Sequence, residues 1–157
     1  MEDISQSCND LAVINQGQDT GQGPPMEEQV VQRTGQHPGA YLMDGGFATG
    51  EDVTALEKLG ITVYAPVKLP RNKPEEARYQ PHPPQADPQV VQWRQRMSTD
   101  AAKAVYRLRA ATAEWTNAQA RGHGLLPFAV RGLGKALSAV LLVTIAHNLM
   151  RWRALGA

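Results

Sequence analysis

The sequence predicts an α/β fold, an incomplete and largely parallel sheet with packed helices, followed by a C-terminal part that is helical. Three observations predict it. Short apolar runs at Leu11–Ile14, Ala40–Met43 and Ile61–Val67 alternate with helical patterns, and the order strand, helix, strand, helix, strand implies βαβ units. A Pro-rich segment then breaks the alternation. Beyond it every periodic segment has the helical repeat.

Each element has its local reason. Residues 1–10 form an irregular N-terminal segment, and 11–67 make the βαβαβ part. Leu11–Ile14 is apolar and stops at Asn-Gln-Gly, as a buried strand does. Pro24 and Pro25 suit the first turn of a helix whose apolar stripe is Met26, Val30 and Val31 and whose stop is Gly35. Ala40–Met43 is a second strand, ended by Asp44-Gly45-Gly46. Thr49 to Gly60 is a helix with a threonine cap, acids in its first turn and a glycine stop. In Ile61–Val67 a third strand is expected, with Pro66 placing its end near an edge. Residues 68–88 are an exposed connector, and 89–157 are helical, with helices expected at Pro88–Met97, Thr99–Arg121 and Ala136–Met150. The last is apolar almost all round, but its 15 residues fall short of the ~20 that span a bilayer. It is expected to be a buried core helix, with no membrane as partner.

Composition excludes several classes. With 42% apolar and 20% charged residues the chain is not a disordered polyelectrolyte. A single cysteine, Cys8, excludes a disulfide framework and a cysteine metal cluster. The opening Met1-Glu2-Asp3 is acidic rather than a basic-then-apolar leader, so a cytoplasmic location is expected. The net charge of +1 conceals an asymmetry: residues 1–92 carry −7 and residues 93–157 carry +8. A basic half of this kind fits either a polyanion partner or a solvated helical surface.

Two carboxylates stand out. Asp44 follows a predicted strand, at the sheet end where open α/β folds hold ligands, with two glycines leaving room beside it. On the local sequence alone, Asp-Gly is more often simply a turn. Glu114 is the only acid after Asp100, and Arg107 and Arg121 lie two helical turns on either side of it, within ~20° of its direction. A surface glutamate screened by arginines has the same pattern. His37, His82, His123 and His147 lack ligand spacing, and Asp19 reads as a solvated loop acid.

The runs YLMDGGFATGEDVTALEKLGITVYAPV (41–67), YRLRAATAEWTNAQAR (106–121) and FAVRGLGK (128–135) resemble, in this order, the C-terminal part of bacterial insertion-sequence transposases of the DDE type. The resemblance spans roughly 11–155. It implies a partial RNase H-like catalytic domain in which three carboxylates hold two divalent ions, Mg²⁺ or Mn²⁺, about 4 Å apart for in-line displacement at phosphorus. Asp44 matches the second carboxylate and Glu114 the third, which makes both catalytic and metal-binding candidates. Tyr106, Arg109 and Arg121 match positions that flank the glutamate and meet DNA phosphates; Arg107, Arg131 and Lys135 complete the expected DNA-binding set. The first carboxylate has no counterpart, because Asp3 and Asp10 lie in a segment without strand pattern.

The expectation is therefore a truncated DDE transposase, involved in DNA transposition but catalytically incomplete, binding metal weakly and transposon-end DNA through its basic half. The alternative is a non-catalytic fragment that binds full-length transposase, or itself as an oligomer, through an uncovered sheet edge, and so regulates transposition. A small α/β enzyme using Asp44 and Glu114 as an acid/base pair has no substrate-pocket motif to support it. Uncovered sheet and an apolar last helix also predict poor solubility.

Overall fold

The computed structural model describes residues 20–46, 48–69, 72, 74–80, 87–109, 118, 121–122 and 130–155. The expected strand at 11–14 and Glu114 lie outside these. The chain divides into two compact units, one of residues 17–108 and one of residues 1–16 with 109–157.

The first unit is a two-stranded parallel sheet wrapped by helices, which bears out the α/β expectation. Strand β1 (Ala40–Leu42) pairs with β2 (Thr62–Tyr64), with Ala40 opposite Thr62 and Leu42 opposite Tyr64. Parallel neighbours need a crossover, and helix α2 (Gly50–Lys58) provides it. Thr49 caps α2 through a reciprocal box with Asp52. Asp52 is buried, yet its Oδ2 accepts from the Thr49 hydroxyl at 2.6 Å and from the Gly21 amide at 3.2 Å. One carboxylate thus starts a helix and tethers the segment entering the previous one.

Helix α1 (Gly23–Thr34) carries proline in its first turn and ends at Gly35, whose φ of +74° only glycine adopts cheaply. Its inward face differs from the expected stripe. Gly23 and Glu27 are buried, whereas Met26, Val30 and Val31 are half-buried. At Gly23 an added β-carbon would lie 2.9 Å from the Met43 methyl, so the glycine lets α1 approach the sheet. Glu27 is tolerated inside because His37 Nδ1 meets its carboxylate at 2.5 Å.

The expected strand Ile61–Val67 is cut to three residues. Pro66 offers no N–H for a ladder. Beyond β2 the chain still runs inward, with Ala65 and Val67 buried. The outward-facing N–H and C=O of Val63 are taken by side chains: Glu57 Oε1 accepts the amide at 2.9 Å, and Arg96 Nη2 donates to the carbonyl at 3.2 Å. Glu57 and Arg96 are themselves ion-paired, and the guanidinium lies over the Tyr64 ring at 5.7 Å.

A single turn of 3-10 helix, Glu75–Arg78, sits in the expected connector. It does not float free of the fold, since Tyr79 packs on the core and Arg78 donates to the Val67 carbonyl at 3.3 Å. Helix α3 (Pro88–Ser98) is capped by Asp87 and buries Trp93 and Met97, four residues apart on one face. Thr99 ends α3 and starts α4 (Asp100–Arg109) by accepting the Ala102 amide at 3.2 Å. The expected single helix from Thr99 is described as far as Arg109. The core is Val53, Leu56, Ile61 and Val63, each at most 1% exposed, with Met43, Trp93 and Met97 around them. Each such side chain contributes about 1.5–3 kcal/mol by leaving water.

In the second unit, helix α5 spans Leu133–Leu155, 23 residues rather than the 15 expected. The buried-core expectation is corrected here. Over Leu133–Ala154 only 6% of the apolar window is buried, and the helix is long and apolar enough to cross a membrane by length and composition.

Candidate DNA and metal site

The carboxyl ends of β1 and β2 come together at one point. The Met43 amide donates to the Tyr64 carbonyl at 2.9 Å, so the ladder reaches the residue before Asp44. The loop Asp44-Gly45-Gly46 then turns beside Pro66, which would touch a β-carbon on Gly45 at 3.6 Å. Asp44 is exposed, and its Oδ1 accepts the Gly46 amide at 3.2 Å. The turn and the strand-end position expected of this residue are both present. The carboxylate makes the turn, and it stands in solvent at the ligand-binding end of a parallel sheet.

A carboxylate oxygen suits a hard divalent ion such as Mg²⁺. One carboxylate is not a metal site, and among the described residues no group of three His, Cys, Asp or Glu side chains is placed to hold one. Glu114, the other expected ligand, lies outside the described residues.

The basic residues sort into two kinds. Arg94, Arg96 and Lys103, counted in the basic half, serve the fold. Arg94 donates to the carbonyls of Arg78 and Gln80 at 3.4 Å each, and partial burial lowers its pKa from the ordinary arginine value. Arg96 clips β2, and Lys103 pairs with Asp100 and lies over Tyr79. The expected DNA contacts are placed differently. Arg107, Arg121, Arg131 and Lys135 are exposed, Arg109 is half-buried, and Tyr106 packs against the core. Asp44, Tyr106 and Arg107 belong to the first unit; Arg109, Arg121, Arg131 and Lys135 belong to the second. Sequence counting misses this sorting, because a side chain's partners 14–39 residues away leave no local signal.

A parallel sheet whose strand ends in an exposed aspartate, followed by helices bearing exposed arginines, is an α/β arrangement and by itself names no activity. The comparison with protein families is specific: residues 71–153, just over half of the chain, match the transposase DDE domain. The chain belongs to that family, and its function lies in DNA transposition. Domains of this family act on DNA and generally use a divalent metal. No curated protein and no solved structure matches the chain. The matched range includes Glu114 and most of the basic residues, and Asp44 lies before it.

Proposed function

We propose that this chain is part of a DDE transposase catalytic domain, with Asp44 and Glu114 as two of its three metal-holding carboxylates. What carries the reading is the place of Asp44, exposed beyond the last ladder bond of β1, in a chain of the DDE family. Asp44 and Glu114 would hold a divalent ion, whose chemistry would be activation of the attacking oxygen and stabilisation of the leaving one. The chain's own residues do the remaining work. Gly45 and Gly46 keep the approach to the carboxylate open, and the Gly46 amide fixes one of its oxygens. Arg107, Arg109, Arg121, Arg131 and Lys135, with Tyr106, supply phosphate contacts that position DNA without reading its sequence. The first carboxylate of the set has no assigned residue in this sequence, and Asp44 and Glu114 alone would hold a metal weakly and support only slow turnover. A cytoplasmic location accords with this role.

The test is a gel-shift and nicking assay on supercoiled DNA with Mn²⁺. Asp44→Asn and Glu114→Gln should each abolish residual nicking while DNA affinity changes less than twofold. If both variants nick as well as the parent, the carboxylate assignment fails.

A further inference from the structure

The carboxyl end of the sheet carries a second exposed charge besides Asp44. Paired residues of parallel strands share a face, and so do alternate residues along one strand. Leu42 is level with Tyr64. Asp44 lies two residues beyond Leu42, and Lys68 four beyond Tyr64. Burial keeps this alternation past the end of β2. Val63, Ala65 and Val67 are at most 2% exposed, Tyr64 and Pro66 are half-buried, and Lys68 is exposed. The aspartate and the lysine thus leave the sheet on the same face and at the same end.

The backbone leading to Lys68 is held. Pro66 sits against the Asp44 turn, 3.6 Å from where a β-carbon on Gly45 would stand. The next carbonyl, that of Val67, accepts from Arg78 Nη1 at 3.3 Å. Lys68 follows directly. Its ammonium differs from the other lysines described in this unit. Lys58 pairs with Asp87 at 3.8 Å, and Lys103 with Asp100 at 3.7 Å. Lys68 has no ion pair or ring contact among the described residues.

We propose that Lys68 is a further DNA-binding residue, taking a backbone phosphate of the strand that is presented to Asp44. The proposal deepens the function proposed above and rests on it for bringing DNA to this end of the sheet. A carboxylate alone repels a phosphodiester, and a cation beside it on a held backbone attracts one. The lysine gives the DNA strand a second fixed point, so that it lies across the ends of β1 and β2 rather than pivoting about Asp44. A compact ammonium on a flexible stem suits a phosphate contact that reads no base.

The test is acetylation of the full chain with a lysine-selective reagent, read by mass spectrometry with and without a short DNA duplex. DNA should protect Lys68 severalfold and leave Lys58 unprotected, because Lys58 ends α2 at the opposite end of the sheet. In fluorescence titration Lys68→Gln should weaken DNA binding about fivefold at ~0.1 M salt and lower the salt slope by about 0.9. Lys68→Arg should keep both near the parent, and neither variant should move the urea midpoint. Equal acetylation of Lys68 with and without DNA, or a Lys68→Gln variant with the parent's slope, overturns the proposal. Asp44→Asn and Glu114→Gln variants that still nick while Lys68 is protected would support the lysine contact and fail the carboxylate assignment instead.

Discussion

At the residue scale, the chain separates carboxylates that build from carboxylates that face solvent. Asp52, Glu57 and Glu27 are each consumed by named partners, and Asp44 is exposed. The consequence is a contrast between variants. Asp44→Ala removes an exposed carboxylate that accepts the Gly46 amide and should cost about 1 kcal/mol in urea unfolding, while removing any metal-dependent nicking. Arg96→Ala leaves the Glu57 carboxylate nearly buried without its cation and strips a donor from Val63. It should cost about 2–4 kcal/mol, with DNA affinity moved little because Arg96 is spent internally. Equal losses from the two substitutions would refute this division of roles. Asp44 is legible in the sequence because a strand end and a Gly-Gly are written locally. The duties of Arg94 and Arg96 are not, since their partners come from other elements.

Helices and strands differ in how far local chemistry decides them. Helices α1, α2 and α3 follow their written signals: prolines in the first turn, a capping threonine, a capping aspartate, a glycine stop. Thr49→Ala should therefore lower stability by about 1 kcal/mol. Asp52→Ala should lower it by about 2–3 kcal/mol, because the Gly21 amide also loses its acceptor. A chemical-denaturation comparison of the two variants checks the ordering. The run Ile61–Val67 overstates strand β2, since an apolar run states that residues are buried and not that they are paired. The apolar run 133–155 shows the same limit in a helix. Its hydrophobicity is real, but periodicity alone does not say which side meets protein, and here Val140 and His147 are covered while Leu142 and Trp152 are exposed.

For the whole molecule, the charge asymmetry survives in reduced form. Of the ten basic residues from 93 onward, Arg94, Arg96 and Lys103 are committed to backbone, carboxylate or aromatic partners. Non-specific DNA binding should therefore have a salt slope set by the exposed cations, and each of Arg107, Arg121, Arg131 and Lys135 changed to Gln should reduce it by about 0.9. Fluorescence titration between 50 and 200 mM salt, a window of roughly this kind in which counterion release dominates, measures it. A slope unchanged by all four substitutions would place the DNA elsewhere. The fold class is readable from the order of elements.

The Glu57–Arg96 clip on Val63 has a last consequence, best put in the language of chain growth. A sheet can be extended from either side, and a protein with two open sides is a difunctional monomer that polymerises. Here one side is end-capped by covalently attached groups that occupy both backbone valences of the middle residue of β2. Any further strand, from this polypeptide or another, must add beside β1. Two copies pairing β1 to β1 would leave only capped β2 edges outside, so such pairing makes a finite dimer and not a fibre.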